Sequence, residues 1–437
     1  MTVHGIWTIM AAMAALPQIS VEDYLREFYR NVDDRQALDV RRRFYLQLDD
    51  ESVRGMDISK HLLTKVNYAL NGSATLISGP RGSGKSSELF RFGRMVQESG
   101  RQFLYADAED YLKPWEPLEA GTFLPAVAAG MIQAVQRVVP HSQVGKALQS
   151  DYFAMFKRFR LSVPEIQINV PFIAATLRSW FTEDESARKA LREVMQSQRK
   201  VFRDSLHEII QKASQELVME SQGLPVFVFD SVDHWRGTRN NYDAVRDSVE
   251  YLFQEMSEEL KLPGFHVVYS VPTYVKCDFV RLPMLNVKVM QEDGTDYSPG
   301  IDQLRKVLDK RAPDDDSSQF FGEYQTRIIR GSGGLFRDLL LLSSESILVA
   351  KTNMPVTEQM IIRAESIVRE QMTGGASGLT KEQYVILSEI QKNRYFRPER
   401  TQLSDFDYLE SRGAILSYPN GDPWLGVHPL LQPRLES

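Results

Sequence analysis

Short apolar runs alternate with longer segments of helical periodicity along the first two thirds of the chain. The apolar runs lie at residues 74–78, 102–107, 226–229, 265–270 and 285–289. Among these runs, the one at 226–229 is uninterrupted, which is typical of a strand that is buried on both faces of a parallel sheet. Because helical segments separate most of them, the pattern predicts a five-stranded parallel sheet covered on both faces, with residues 285–289 as an edge or fifth strand.

Helical periodicity fills the segments around these runs. The predicted helical segments are residues 20–70, with a break near Asp49–Ser52, and residues 87–96, 118–139 and 183–221. The helical residues before the run at 226–229 are too numerous for an ordinary connection, which predicts a helical insertion at about 118–222. Alternating apolar residues at 164–171 predict an extended excursion within that insertion.

Beyond residue 300 the strand signal disappears until the C-terminus. Consecutive helices are predicted at residues 301–311, 319–330, 335–350 and 357–371, and a flexible glycine-rich linker at 374–378. Two further helices follow at 381–391 and 402–412. Two short strands then flank residues 419–423, whose Pro, Asn, Gly and Asp favour a tight turn. Two helices followed by a hairpin predict a winged helix.

The composition is that of an ordinary globular protein of two or three domains. Of 437 residues, 43% are hydrophobic and 25% are charged, and the net charge of −6 argues against a protein that coats nucleic acid. Cys277 is the single cysteine, which excludes an intrachain disulfide and fits a reducing cytoplasm. The apolar residues 1–18 lack Lys and Arg and are too few to span a bilayer, so we expect a docked or disordered tail, or a start at Met13. We therefore expect a cytoplasmic protein that does not enter a membrane.

The segment GPRGSGKSS, residues 79–87, contains the pattern G-x-x-x-x-G-K-S between a predicted strand and a predicted helix. Glycines at 79, 82 and 84 permit backbone angles at which successive N–H groups converge on one phosphate. Lys85 supplies a charge for the outer phosphates and Ser86 a hydroxyl ligand for Mg²⁺. The predicted ligands are therefore ATP and Mg²⁺. The predicted nucleotide-binding residues are Gly79, Pro80, Arg81, Gly82, Ser83, Gly84, Lys85, Ser86 and Ser87.

The stretch VFVFDSVDHW, residues 226–235, ends a predicted strand with an acid. Asp230 lies at the carboxyl end of that strand, where open α/β sheets bind ligands. We predict that Asp230 and Ser86 hold the Mg²⁺. His234 and Trp235 are expected to pack or to form hydrogen bonds.

Hydrolysis also requires a group that orients the attacking water. Asp233 is the predicted base, and Asp107 and Glu109 near the neighbouring strand stay open as alternatives. Many P-loop ATPases carry a glutamate directly after the strand aspartate, but this chain has Ser231 there, which predicts slow hydrolysis. Ser270, at the end of a later predicted strand, is a candidate contact for the γ-phosphate or its water.

Three segments together resemble the AAA+ and STAND branches of the P-loop ATPases, especially prokaryotic STAND-type ATPases. They are GPRGSGKS at 79–86, VFVFDSVDHW at 226–235 and GGLFRDLL at 333–340, and the order of parts is similar over roughly residues 50–437. The resemblance implies an α/β P-loop core of the ASCE/AAA+ kind with a helical insertion, followed by a helical lid and a winged helix. The implied parts are an N-terminal helical segment at 1–50, the ATPase core at 51–295, the lid at 296–373 and the winged helix at 378–437.

The third segment is similar to the lid motif of the family, in which a proline precedes an arginine that reads the γ-phosphate. Here Phe336 replaces the proline and Arg337 keeps the arginine. The resemblance therefore implies a catalytic role for Arg337. It also implies an arginine supplied by a second subunit, for which Arg281 and Arg311 are candidates by position.

The resemblance implies an ATP-controlled switch with slow hydrolysis that acts on a separately encoded protein effector. STAND relatives act in signalling, transcription control and bacterial antiviral defence, often as oligomers, so a homo- or hetero-oligomer is expected. A DNA-handling AAA+ ATPase, whose winged helix grips DNA, and a nucleotide-binding scaffold with negligible turnover stay open as alternatives. Residues 376–437 carry seven Lys or Arg and eight Asp or Glu. Because DNA binding requires a basic face, a protein partner is favoured over nucleic acid.

Overall fold

The computed structural model describes residues 20–33, 43–140, 143–162, 173–219, 221–238, 240–373, 378–419 and 424–432. These residues divide into two compact units. The larger lies within residues 37–287 and 380–427, and the smaller within residues 1–36, 288–379 and 428–437. The predicted N-terminal tail, the predicted excursion at 164–171 and most of the predicted linker lie outside the described residues. Within the described ranges, no helix combines the length and the apolar character needed to cross a membrane.

Helices make up most of both units. The smaller unit contains α1 (Val21–Asp33), α11 (Ser298–Asp309), α12 (Ser318–Phe321), α13 (Gln325–Gly331), α14 (Phe336–Ala350) and α15 (Glu358–Met372). The larger unit contains α2 (Asp50–Arg54), α3 (Ile58–Tyr68), α4 (Lys85–Glu98), α5 (Ala120–Val138), α6 (Val144–Arg158), α7 (Ile173–Thr182), α8 (Glu185–Ser197), α9 (Arg199–Val218), α10 (Tyr242–Gln254), α16 (Lys381–Asn393) and α17 (Leu403–Ser411). Helices α5 to α9 lie along the sequence between two strands that are hydrogen-bonded neighbours in the sheet, so the predicted helical insertion is confirmed.

Five strands of the larger unit form one parallel sheet. They are β1 (Ser73–Ser78), β2 (Phe103–Asp107), β3 (Val226–Asp230), β4 (His266–Val271) and β5 (Val280–Pro283), in the spatial order β2-β3-β4-β1-β5. The carboxyl ends of parallel strands lie at one edge of a sheet, so the segments after β1, β3 and β4 leave from the same edge. The predicted α/β fold with a five-stranded parallel sheet is confirmed.

The fifth strand is Val280–Pro283, and the prediction that it lies at residues 285–289 is wrong. Strand β5 pairs with β1 alone and has a single buried residue, Leu282. Such an edge strand lacks the continuous apolar run by which a central strand is recognised in a sequence. Residues 285–289 alternate apolar and polar side chains, but they form irregular structure in which residues 286–289 are buried and the Asn286 N–H donates to the Ser417 carbonyl at 3.1 Å.

Successive residues of the central strands pack on opposite faces of the sheet. Phe227 and Phe229 of β3 belong to one hydrophobic cluster, which includes residues of α5, α9 and α10. Val226 and Val228 belong to a second cluster, which includes residues of α3 and α4. This alternation buries both faces and explains why the sequence of β3 is apolar without interruption.

Two helix boundaries differ from the sequence prediction. Asp50–Arg54 is helical, and the irregular stretch lies at residues 45–49, so the break predicted near residues 49–52 is displaced. Its acidic residues lie in the first turn of α2, where negative charge is stabilising. The single helix predicted at 319–330 is wrong, because Gly322, with a φ of 55°, separates α12 from α13.

The C-terminal part of the larger unit consists of α16, α17 and an antiparallel hairpin of β6 (Ile415–Tyr418) and β7 (Trp424–Val427). Helix α17 contacts the segments around the sheet through acidic side chains. Asp407 lies 2.5 Å from Arg246 of α10 and accepts a hydrogen bond from the Tyr242 hydroxyl at 3.0 Å. Glu410 accepts a hydrogen bond from the Thr273 hydroxyl, just after β4.

Candidate functional site

The glycine-rich loop of residues 79–84 joins β1 to α4. Gly82 and Gly84 have φ values of 87° and 93°, in the left-handed region that favours glycine. Gly84 caps α4, and Lys85 is the first residue of that helix. The first N–H groups of a helix have no partner within it and form the positive end of its dipole, so this loop has the geometry of an anion-binding site.

Gly79 is required for a different reason from the one that the sequence predicts. Its φ is not in the left-handed region, but a Cβ at this position would lie 2.5 Å from the Met284 carbonyl oxygen. Met284 cannot move aside easily, because its N–H donates to the Ser78 carbonyl at 2.7 Å. The first glycine of the motif therefore permits a close approach of two backbone segments.

We expect Gly79→Ala to lower the free energy of unfolding by about 2 kcal/mol, because the added methyl group forces two backbone segments apart. Denaturant unfolding monitored by circular dichroism measures the change. Gly331→Ala is the matched control, since a Cβ there would only make an ordinary 3.4 Å contact with Leu342. Equal stabilities of the two variants would contradict the steric account of Gly79.

Lys85 and Asp233 form a buried ion pair at the loop. Lys85 Nζ lies 3.0 Å from Asp233 Oδ2, and the two side chains are 6% and 5% exposed. The same Nζ donates to the carbonyl oxygens of Gly79 and Pro80 at 2.9 and 3.0 Å. Burial acts to raise the pKa of Asp233, but the charges of Lys85 and then His234 outweigh it, and the pKa is lowered. The predicted base is therefore an ionised partner of the phosphate-binding lysine.

Asp230 ends β3 and is buried. Its Oδ2 accepts a hydrogen bond from the Tyr105 hydroxyl at 2.9 Å, and its Oδ1 accepts one from the Ser231 N–H at 2.8 Å. A carboxylate has about four lone-pair positions, so these bonds leave it able to bind a cation. Ser86, in the first turn of α4, offers a hydroxyl oxygen. Both are oxygen ligands of the kind that Mg²⁺ prefers, so the two residues fit the predicted metal.

Asp107 ends β2 and pairs in register with Asp230. It accepts hydrogen bonds from the Ser231 hydroxyl and from the Glu109 N–H, each at 2.9 Å. Burial nevertheless raises the pKa of Asp107 to about 6, and the charge of Asp230 adds to the effect. A carboxylate with this pKa accepts a proton more readily than an ordinary one, so Asp107 keeps its place as an alternative base. The Ser231 hydroxyl donates its hydrogen bond to Asp107, so Ser231 does not act as the base that a glutamate at this position would be.

His234 and Glu109 form a second charged pair beside Asp233. His234 Nδ1 lies 2.5 Å from Glu109 Oε1, and its Nε2 lies 3.9 Å from Asp233 Oδ2. Burial acts to lower the pKa of His234, but the hydrogen bond with Glu109 and the charge of Asp233 outweigh it, and the pKa is raised. The hydrogen bond with His234 lowers the pKa of Glu109. The two side chains therefore favour the imidazolium–carboxylate form.

The other predicted catalytic residues lie in different parts of the structure. Ser270 is buried in β4, and its hydroxyl contributes to lowering the pKa of Asp233. Arg337 belongs to the smaller unit, where its Nε donates to Asp338 at 2.9 Å, and its role at the γ-phosphate stays a prediction. Arg281 of β5 donates to the carbonyl groups of Thr273 and Val275 in the preceding loop and stays a candidate for contact with a second subunit. Arg311 is 4% exposed, so it is a poor candidate for that contact.

A buried charge cluster supports the loop from the N-terminal side. Arg54 donates to the Ser83 carbonyl at 2.8 Å and lies 3.4 Å from Asp50. Arg91 of α4 contacts Asp50, Asp57 and Glu88 at 3.5, 2.8 and 3.1 Å. The three carboxylates are close enough to share a cation. Two guanidinium groups and Lys60, 3.3 Å from Asp57, balance their charge, so the cluster is a structural network and not a metal site.

Sequence reasoning missed Tyr105, the pairing of Glu109 with His234, and the contact of Arg54 with the loop. Tyr105 and Asp230 are 125 positions apart, as are Glu109 and His234. The strand register that joins β2 to β3 creates both contacts, and no local pattern encodes it. The signal available in the sequence was Asp107 and Glu109 at the end of a predicted strand. It identified the edge of the sheet at which the site lies, but not which side chains contact each other there.

No protein-family model and no curated protein matches the sequence. Among solved structures, the chain is similar to a Walker-type ATPase of Pyrococcus abyssi, with a TM-score of 0.39 and 14% identity over 91% of this chain and 100% of that one. It is also similar to Cdc6p of Pyrobaculum aerophilum, with a TM-score of 0.39 and 11% identity over 93% of this chain and 96% of that one. The ORC2 protein of Aeropyrum pernix matches with a TM-score of 0.39 and 12% identity over 93% of this chain and 95% of that one. At these values the assignment of the loop and its acidic neighbours rests on the geometry of this chain.

Proposed function

We propose that the protein is an ATP-binding regulatory switch that hydrolyses ATP slowly. The observation that carries the proposal is the position of Lys85, which begins a helix after a glycine loop and contacts Asp233, an acid that follows β3 at the same edge of the sheet, at 3.0 Å. A lysine at the N-terminus of a helix favours a polyphosphate, and the adjacent acids supply a metal ligand and a base.

Each residue of the site has a separate task in this proposal. The loop N–H groups and Lys85 bind the phosphates, while Ser86 and Asp230 hold the Mg²⁺. When bound, Mg²⁺ neutralises charge on the outer phosphates. Asp233 orients the water that attacks the γ-phosphate, and Asp107 is the alternative base. Hydrolysis is slow because the position after the strand acid holds Ser231, whose hydroxyl donates to Asp107.

A regulatory role is supported by contacts that join the site to the C-terminal helices, which we propose form a winged helix with the β6–β7 hairpin. Ser270 lies in β4, and Thr273, three positions further along, donates to Glu410 of α17. Arg246 and Tyr242 hold Asp407 of the same helix. We propose that these contacts couple the edge of the sheet that carries the site to α17, as a two-state switch requires.

The same contacts weigh against the DNA-handling alternative. Helix α17, which precedes the hairpin, carries Asp405, Asp407 and Glu410 and contains no Lys or Arg. Two of these acids contact the larger unit's own side chains. A helix that reads DNA needs basic residues toward the phosphates. We therefore propose a separately encoded protein effector as the partner, within a cytoplasmic homo- or hetero-oligomer of the STAND type, with antiviral defence among the pathways to test.

The proposal is tested by measuring ATP binding and phosphate release by the purified protein in the presence and absence of Mg²⁺. We expect Mg²⁺-dependent hydrolysis, and we expect Asp230→Asn to lower the turnover about 100-fold because the metal loses a charged ligand. Asp204→Asn is the matched control, since Asp204 is 53% exposed and pairs with Arg203 in a surface contact. A wild-type protein that binds no ATP would overturn the proposal. Binding without measurable turnover would favour the nucleotide-binding scaffold.

A further inference from the structure

We propose that His234, held by Glu109, is a positioning residue that replaces Lys85 as the ion-pair partner of Asp233 when a triphosphate binds Lys85. The inference rests on the proposed ATP site and adds two residues to it. Neither belongs to the glycine loop or to the predicted metal ligands.

Lys85 cannot keep its present contacts and also bind phosphates. Its Nζ has three donor positions, and Asp233, Gly79 and Pro80 occupy all of them at 2.9 to 3.0 Å. A polyphosphate that recruits this amine must therefore displace at least one of these partners. Asp233 is the negatively charged one, so its repulsion from the phosphates makes it the partner that is released.

Asp233 cannot simply be left alone after that release. It is 5% exposed, and removing one partner of a buried ion pair leaves an uncompensated charge that is strongly unfavourable. His234 is the second cation at the same oxygen, because its Nε2 and Lys85 Nζ both face Asp233 Oδ2, at 3.9 and 3.0 Å. A small movement of either side chain converts the 3.9 Å contact into a hydrogen bond.

Glu109 prepares His234 for this exchange. A histidine whose Nδ1–H donates to a carboxylate presents a proton on Nε2 only in its charged form, and the Glu109 carboxylate stabilises that form. The charged groups that face His234 are Glu109, Asp233 and Arg81, and the two carboxylates outweigh the arginine. The histidine therefore presents an N–H donor to Asp233.

The turns after β2 and β3 fix both members of the pair. Asp107 accepts the Glu109 N–H and holds the turn that places Glu109. Ser231, with a φ of 67°, reverses the chain after Asp230, and its carbonyl accepts the His234 N–H at 3.1 Å. A left-handed conformation is uncommon for serine, and such residues are typical of functional sites. The two strand ends thus aim the imidazole at Asp233.

The test is a double-mutant cycle on ATP affinity, measured by calorimetry with the full chain. We expect His234→Gln to weaken ATP binding about tenfold, because Asp233 then has no second cation after it leaves Lys85. In an Asp233→Asn background the same substitution is expected to leave the affinity unchanged, since the carboxylate with which His234 would pair is absent. Glu109→Gln, at a half-exposed position, is expected to weaken binding in the same direction, and the exposed His61→Gln is the matched control.

The outcomes separate this inference from the proposed function. A wild-type protein that binds no ATP overturns the function and the exchange together. If the wild type binds ATP and His234→Gln and Glu109→Gln do not alter the affinity, the exchange alone is overturned. An equal loss from His234→Gln with and without Asp233 would also overturn it, because the histidine would then contact the phosphates directly.

Discussion

Replacing Lys85 by alanine is expected to abolish tight ATP binding, with a loss of affinity of about 100-fold or more. Lys85 is the loop's point charge for the outer phosphates, and it begins the helix whose N–H groups face the same ligand. The groups that contact its Nζ cannot replace it, because Gly79 and Pro80 present carbonyl oxygens and Asp233 presents a carboxylate. Calorimetric titration with ATP and Mg²⁺ measures the loss.

The substitution also leaves Asp233 buried without its nearest cation, so Lys85→Ala alone could lower binding by destabilising the protein. The Lys85→Ala/Asp233→Asn double variant separates these effects, because it removes both charges together. We expect it to recover stability but not ATP affinity. Lys212→Ala, at a side chain that is 48% exposed, is the matched control for loss of a lysine. Tight ATP binding by the double variant would contradict the assignment of this loop as the phosphate-binding site.

The parts of the fold that the sequence predicted well are those with a dense local signal. The buried strand at Val226–Phe229 has four apolar residues in succession because both of its faces are covered, and the loop after β1 carries the glycines that its backbone needs. Strand β5 escaped prediction because an edge strand with one buried residue has no such signal. Residues 285–289 were predicted as a strand because their alternating apolar residues resemble one, but these residues are buried without strand pairing.

The candidate site shows the same division between local and distant information. The sequence placed Lys85, Ser86 and Asp230 by motif and strand position, and each of them lies where a helix start or strand end puts it. Asp233 was predicted as a base, but its ion pair with Lys85 was not predicted. The two residues are 148 positions apart, and the order of strands in the sheet brings them together. The Glu109–His234 pair depends on the β2–β3 register in the same way.

The C-terminal helices can be tested independently of the nucleotide. Arg246→Ala is expected to lower the free energy of unfolding of the larger unit by about 3 kcal/mol, because it leaves Asp407 buried without its cation. Asp407 is 6% exposed and lies 2.5 Å from Arg246. Denaturant unfolding measures the loss, and proteolysis near residues 378–381 is expected to accelerate as α17 detaches. Arg94→Ala is the matched control, because its partner Glu98 is 62% exposed and such surface pairs contribute about 0.5 kcal/mol.

The pH dependence gives this prediction a second, independent measurement. Burial raises the pKa of Asp407 to about 6, although the Arg246 charge acts to lower it, and Tyr242 and Glu250 also face the carboxyl group. A raised pKa means that the folded state holds the proton more tightly than the unfolded chain, so this group's contribution to stability falls as the pH rises through about 6. Below that pH the protonated Asp407 no longer needs a cation, and the difference between wild type and Arg246→Ala should shrink. A difference that stays constant from pH 5 to pH 7.5 would mean that Arg246 acts through packing against Tyr274, whose ring centroid is 4.9 Å away, and not through its charge.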